Sequence, residues 1–317
     1  MKRWLAFAVA MLLAGGAMAQ AYPNRPVTMI VPFLAGGSVD IVARQVAAGL
    51  AKYLGQNVIV DNKVGAGGTI GTGAAAKAPP DGYTILLGTT SALGVSPALY
   101  ANVPYDPIKS FTPISEVTRG PFLVTVRDSL PVKDIRELSD YARKNPGKLN
   151  AGSAGNGSVH HLALEMFKQA AHLDIVHVPY KGGGPAWAAL LAGNIDLLFD
   201  SMPGPLPYGN RVRPLAIAGP ERLPGLPNVP TFAEIGMPEV STVFFWAMVA
   251  PAGTPPEVVA KLNQALNQGL RDPAVKAEFE KQSMETTPST QEEVARFLAQ
   301  QVPMWREVVR KAGLRQD

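Results

Sequence analysis

The stretch "VPFLAGGSVDIVAR", residues 31–44, packs the end of an apolar strand-like run, a Gly-Gly turn and the first turns of an amphipathic helix into one short segment. Strand, glycine turn and helix in that order open a parallel α/β unit. Upstream, Val27 to Phe33 reads as the strand. Downstream, Val39, Val42, Val46, Leu50 and Leu54 recur at three- and four-residue steps. One helix face therefore packs on a sheet, while Arg44 and Lys52 stay in water.

The alternation continues with a strand at Val58 to Asp61, a helix at Ile70 to Lys77 and a strand at Tyr83 to Gly88. A second alternating unit follows. Its strands are Phe122 to Val126, Leu149 to Ser153, Ile175 to Pro179, Ile195 to Asp200 and Pro214 to Ala218, with helices at Asp134 to Lys144, Ser158 to Ala171 and Ala186 to Ala192. After a strand at Val243 to Val249 the tail is helical. Thr254 to Glu257 and Thr290 to Glu293 both read as capping boxes, and Pro303 is expected to kink the last helix. Two such units predict an α/β fold of two lobes with a cleft between them. The expected division is a first lobe over 22–121 and 220–317, and a second over 122–219.

Residues 1–21 stand apart from this pattern. Lys2 and Arg3 precede an apolar run from Trp4 to Leu13 and small residues ending in Ala17-Met18-Ala19, which reads as a secretory signal peptide cut after Ala19 or Ala21. The run is shorter than the roughly 20 residues a bilayer span needs. Export is the expectation. The chain has no cysteine, so disulfides, thiolate metal sites and a cysteine nucleophile are all excluded. With the leader's two basic residues removed, the formal charge falls from +4 to about +2. No basic block asks for nucleic acid.

Several chemistries begin at glycine turns like these. A phosphate loop needs G-x-x-x-x-G-K-[ST], and a dinucleotide turn needs G-x-G-x-x-G. Gly36-Gly37-Ser38 has no following Lys, Asp40 would oppose a phosphate, and Gly65-Ala66-Gly67 meets Ile70 where the third glycine belongs. A hydrolase would start from Ala151-Gly152-Ser153-Ala154-Gly155, an approximate nucleophile elbow. All four histidines, His160, His161, His172 and His177, follow soon after Ser153, with only Asp174 before the last of them. That chain order is unfavourable, although Ser153 stays an alternative. His161 and Glu165 share a helix face, yet no third metal ligand follows. Neither metal nor cofactor is called for.

Gly36-Gly37-Ser38, Gly155 to Ser158 and Lys181 to Gly184 each place glycine and, in two cases, a hydroxyl between a strand and a helix start. Such turns aim free backbone N–H groups and the positive end of a helix at a ligand, worth about 0.3–1 kcal/mol per terminus for an anion. Thr89-Thr90-Ser91 adds hydroxyls at the carboxyl end of a strand, where open α/β sheets bind ligands. A carboxylate held between lobes fits this set.

Six ordered blocks carry a resemblance: "YPNRPVTMIVPFLAGGSVDIVAR", "DNKVGAGGTIGTGAAAKAPPDGYTILLG", "GSAGNGSVHHLALEMF", "VPYKGGGPAWAALLAGNIDLLFDSMP", "RPLAIAGPERLPGLPNVPTFAEIG" and "APAGTPPEVVAKLNQAL". Over the mature chain the sequence resembles the Bug-type solute-binding proteins of tripartite tricarboxylate transporters. The resemblance implies a type II periplasmic binding protein that closes on a small carboxylate and delivers it to large and small membrane permease subunits, or to a sensor. It further implies that the loop Pro32 to Asp40 holds the carboxylate through backbone amides. Phe33 would wall the pocket, Leu34 and Asp40 would flank it, and Ala35, Gly36, Gly37 and Ser38 would allow close approach. Thr89, Thr90 and Ser91 form a second contact region. Ser153, Gly157, Ser158 and His161 mark the other lobe's helix start, Tyr180, Lys181 and Gly182 the "YKG" turn, and Asp200 and Ser201 a strand end at the cleft. Leu34 is bulkier and more apolar than the small or proline residue the resemblance leads one to expect, which bears on specificity.

Overall fold

The structure, a computed structural model, describes residues 22–36, 38–201, 206–281 and 284–314. The leader read over 1–21 lies outside them, as does Gly37. In chain order the elements are β1 (Val27–Val31), α1 (Ser38–Leu54), β2 (Val58–Asn62), a 3-10 turn (Ala66–Gly68), α2 (Thr69–Ala76), β3 (Thr84–Thr89), a π-helical turn (Thr90–Val95), α3 (Ser96–Leu99) and β4 (Phe111–Arg127). Then come α4 (Ile135–Lys144), β5 (Asn150–Ser153), α5 (Val159–Ala171), β6 (Val176–Pro179), α6 (Gly183–Leu191), β7 (Leu197–Ser201), a 3-10 segment (Leu206–Arg211), β8 (Val212–Ala218), β9 (Val243–Pro251), α7 (Pro256–Arg271), α8 (Pro273–Lys281) and α9 (Gln291–Ala312).

The strands run in the order β2-β1-β3-β9-β4-β7-β5-β6, with β8 pairing β4. β1 pairs β2 and β3 in parallel, from Val27 opposite Val58 to Val31 opposite Asn62. β5 pairs β6 and β7 in parallel. In each parallel group the inner strands are buried, β1 and β3 in one and β5 and β7 in the other, while the edge strands β2 and β6 leave Ile59 and Val176 exposed. β4 joins the two groups. Its residues 111–121 pair antiparallel with β9, and from Phe122 onward it pairs with β7 and β8. The result is a two-lobed α/β molecule built on one shared strand.

The first half of β4 does not read as strand in the sequence, because Pro113, Gly120 and Pro121 look like breakers. The ladder accommodates Pro113 at a register shift between Pro113 and Ser115, a second shift following at Glu116/Thr118; such irregularities relieve a proline of ladder duty. The capping box expected at Thr254 is not formed. Helix α7 starts one residue later than that reading needs, with Pro255 at the N-cap and no side-chain cap, and the Thr254 hydroxyl donates to the Pro251 carbonyl at 2.7 Å. The second box is present, since Thr290 and Glu293 cap each other's backbone at 3.2 and 2.8 Å. Helix α9 continues through Pro303 to Ala312. It packs against the π-helical turn, α3 and β4, and also against α5 of the other lobe.

Candidate functional site

Below the β1–α1 turn, Asp40 organises the loop rather than facing solvent. Its carboxylate accepts the Gly36 N–H at 2.9 Å and Arg44 Nε at 3.0 Å on one oxygen, and Asn62 Nδ2 at 3.0 Å on the other. Asn62 also donates to the Phe33 carbonyl at 3.0 Å. Burial alone would raise the Asp40 pKa, but the bonds from Arg44, Gly36 and Asn62 together hold it below the usual carboxylate range. Gly36 sits at φ 80°, a left-handed conformation, and nothing would crowd a Cβ there; backbone shape, not space, requires glycine. Leu34, Ala35 and Gly36 are exposed and Phe33 is half-buried. Gly37 lies outside the described residues, and Ser38 opens α1.

The first-lobe loops meet around glycines. A Cβ on Gly68 would lie 3.4 Å from Phe33 Cζ and 3.3 Å from Ala92 Cβ, which joins the opening loop to the π-helical turn. Thr89 caps that turn by accepting the Ala92 N–H at 3.3 Å. Thr90 is buried and committed elsewhere, donating to the Phe245 carbonyl at 3.0 Å and accepting the Phe245 N–H at 2.6 Å. Ser91 is half-buried and makes no side-chain hydrogen bond among the described residues. Tyr100 is an addition that sequence reasoning misses. Its hydroxyl would stand 3.9 Å from a Cβ on Gly67 and 3.8 Å from one on Gly157, while Leu99 Cδ2 would collide with the latter. The first lobe's glycine turn and the second lobe's Gly155–Ser158 turn therefore converge on α3 and the residue after it. Nothing in "SPALYANVPY" signals this, because the contact depends on how the π-helical turn aims the chain.

On the second lobe, Ser158 caps α5 by accepting the His161 N–H at 3.3 Å and donates to the Gly155 carbonyl at 2.7 Å. Ser153 is 1% exposed. Its Oγ lies 2.6 Å from His177 Nε2, accepts the Gly155 N–H at 3.1 Å and sits 3.1 Å from the Gly155 carbonyl. A serine so enclosed tightens a turn; a nucleophile needs access. The His177 ring stacks on His161 at 3.8 Å between centroids, and His161 Nδ1 accepts the Gly157 N–H at 3.2 Å. Glu165 and Lys168 close this cluster, paired at 2.6 Å. Burial first, then Lys168, pulls His161 down to about 4. Burial, then His161, does the same to His177, to about 4, against the opposing charge of Glu165.

These depressions have a definite sign. Between about pH 6.5 and 4 the unfolded chain takes up protons that the folded pair refuses, so stability falls as pH drops through that window. Melting temperature measured from pH 7.5 to 4 should decline more steeply for the wild type than for His161→Asn/His177→Gln. Parallel slopes would contradict this account.

Asp200 forms a second hub. Its Oδ1 lies 3.0 Å from His160 Nε2, and its Oδ2 accepts the Trp187 indole N–H at 2.5 Å. The carboxylate thus ties the end of β7 to the starts of α5 and α6. Ser201 follows it in β7. Tyr180 is half-buried, with its N–H donating to the Ser153 carbonyl at 3.0 Å. Lys181 is exposed and has no ion-pair partner among the described residues. Gly182, at φ 115°, is the N-cap of α6 and supplies no side-chain cap, so the helix start offers free N–H groups. Two surface depressions lie away from these turns, one of about 620 Å³ beside Arg213 and one of about 460 Å³ beside Glu116. Among the described residues no three metal-ligating side chains come together, and no helix is long and apolar enough to cross a membrane.

Two α/β lobes sharing one strand, with helix starts and glycine turns from both meeting at strand carboxyl ends, define the two-lobed class of solute receptors. Comparison with known proteins narrows the class. Residues 42–314 match the model of the tripartite tricarboxylate transporter family receptor. Protein BugT of Bordetella pertussis is 37% identical over 304 residues, covering 95% of this chain and 93% of that protein. The solved periplasmic binding protein BugD is 38% identical with a TM-score of 0.84, covering 93% of this chain and 100% of that one. MatC from Rhodopseudomonas palustris, solved with bound malate, is 34% identical with a TM-score of 0.83 over 91% and 100%. The chain belongs to the tripartite tricarboxylate transporter receptor family.

Proposed function

We propose that this protein captures a small carboxylated organic solute in the periplasm, performs no chemistry on it, and presents it to the large and small membrane subunits of a tripartite transporter. The observation that carries this is the meeting of the first lobe's Phe33–Gly36 and Gly65–Gly68 turns with the second lobe's Gly155–Ser158 turn around Tyr100. Such a cleft offers backbone donors, and the serine a hydrolase would use, Ser153, is enclosed. Malate bound to MatC shows that a relative of the same fold holds a carboxylate. The lobes are 22–121 with 220–317, and 122–219, a division supported by the change of partners in β4 between Pro121 and Phe122. Residues 1–21 are the export signal, removed after Ala19 or Ala21.

A thermal-shift panel of mono-, di- and tricarboxylates tests the reading. A bound acid at a hundredfold excess over Kd should add about 2.7 kcal/mol to stability. If no acid stabilises the protein while an ester or amide is turned over in a Ser153-dependent way, a hydrolase takes its place. Delivery to a sensor instead of a permease would show as solute-dependent binding to a sensor's periplasmic domain.

A further inference from the structure

We infer that Tyr100 is a direct solute contact, its phenolic hydroxyl donating a hydrogen bond to a carboxylate oxygen held between the lobes; this rests on the carboxylate-capture reading above. Tyr100 follows α3, and its N–H donates to the Ser96 carbonyl at 3.0 Å. The side chain is half-buried, with its ring packed against the large core cluster. Its hydroxyl reaches both lobes, standing 3.9 Å from the Cβ position of Gly67 in one and 3.8 Å from that of Gly157 in the other. Both are glycines at positive φ, 63° and 69°, so neither position carries a side chain that could meet the phenol. The hydroxyl makes no hydrogen bond among the described residues. A tyrosine held by its ring, with its donor end unclaimed where two polar turns face each other, is placed to bond something that enters between them.

The polar groups around the phenol are already committed. Ser96 Oγ donates to the Gly67 carbonyl at 3.4 Å and Thr69 Oγ1 to the Ala66 carbonyl at 2.9 Å. In the second lobe's turn the Gly157 N–H goes to His161 Nδ1 at 3.2 Å and the Gly155 N–H to Ser153 Oγ at 3.1 Å, and in the first lobe the Gly36 N–H goes to Asp40 at 2.9 Å. Three glycine amides of the facing turns are therefore spent inside the protein. A side-chain donor standing between the turns supplies what they no longer can. A phenol suits that place, because it bonds a carboxylate strongly and directionally while bringing no charge of its own. Leu99, the neighbouring residue, is 1% exposed, and its Cδ2 lies 1.9 Å from where a Cβ on Gly157 would be. Packing of Leu99 on the bare Gly157 backbone thus sets how near the Tyr100 hydroxyl comes to the second lobe.

The test is Tyr100→Phe, which keeps the ring and removes one oxygen, titrated by calorimetry beside the wild-type mature chain with succinate, malate, adipate and citrate. Each acid that binds the wild type should bind the variant about ten- to a hundredfold more weakly, the loss expected for a hydrogen bond to a charged group. The unliganded melting temperature should stay within about 2 °C, because no group of the protein loses a partner. With tyrosines labelled with carbon-13 at Cζ, the resonance that disappears in Tyr100→Phe should shift when the wild type is saturated with acid. Undiminished affinity in the variant, or a Tyr100 resonance indifferent to a bound acid, overturns the inference and leaves carboxylate capture standing. A fall in affinity matched by an equal fall in unliganded stability overturns it too, since the hydroxyl then serves the fold. If none of the four acids binds the wild type, capture itself is removed and this inference with it.

Discussion

Replacing Trp305 by alanine should destabilise the protein by about 3–5 kcal/mol, a large share of the 5–15 kcal/mol typical of a folded domain. Trp305 is 0% exposed and lies on α9, and its Cδ1 stands 2.6 Å from the position a Cβ on Gly94 would take in the π-helical turn. Removing the indole opens a cavity between the C-terminal helix and the turn that carries Thr90 and Ser91. Affinity for the solute should therefore fall together with stability. The indole N–H makes no hydrogen bond, so Trp305→Phe discards an unsatisfied donor along with some volume and should cost much less than alanine. Chemical denaturation of both variants checks this. Equal losses for Phe and Ala would mean that packing against Gly94 is not what the residue contributes.

The second large effect is expected at Asp40. In Asp40→Asn the shape is retained, but an amide places donors where Gly36, Arg44 and Asn62 already donate, so at least one buried contact becomes donor against donor. A loss of about 2 kcal/mol follows, with a looser 33–36 loop and weaker solute binding. The pH behaviour has a clear sign. Because the folded pKa lies below the unfolded one, the carboxylate stabilises the fold above its unfolded pKa, and that contribution disappears as pH falls through the folded value. Asp40→Asn should flatten the acid limb of the stability curve. An unchanged melting temperature at pH 7 would show that the loop does not depend on this carboxylate.

Periodicity exposes most of the fold. The α1 face, the parallel strands and the helical tail each follow from spacing that a single element decides for itself. What spacing does not reveal is β4 from Phe111 to Pro121, where prolines at ladder irregularities mimic a loop, and the helix start at Thr254, where a second proline moves the cap by one residue. The site is legible to the extent that it is made of turns. Gly36, Gly157 and Gly182 stand in turns that take positive φ, and a glycine between a strand and a helix start signals that backbone from its place in the chain alone. The jobs of polar side chains are not legible in the same way. Asp40, Thr90, Ser153 and Asp200 all read as ligand contacts in the sequence, and each is bonded inside the protein by groups distant along the chain, which local pattern cannot supply. Tyr100 and Trp187 escape notice for the same reason.

The strand shared by the two lobes has a mechanical meaning. A hinge made of loops lets domains swing in many directions, whereas β4 is hydrogen-bonded on both sides of the crossing between Pro121 and Phe122. Pulling the lobes straight apart would break ladders; rotating one against the other only spreads small dihedral changes along the strand, as in a torsion bar. At the crossing the bar is clad in rings, with Phe122 edge-on to both Phe244 at 6.1 Å and His160 at 5.2 Å. His160 is also bonded to Asp200 at 3.0 Å. Any twist of the strand is therefore felt first at an imidazole joined to the second lobe's side of the cleft, which makes the His160 ring resonance a natural gauge of the angle between the lobes.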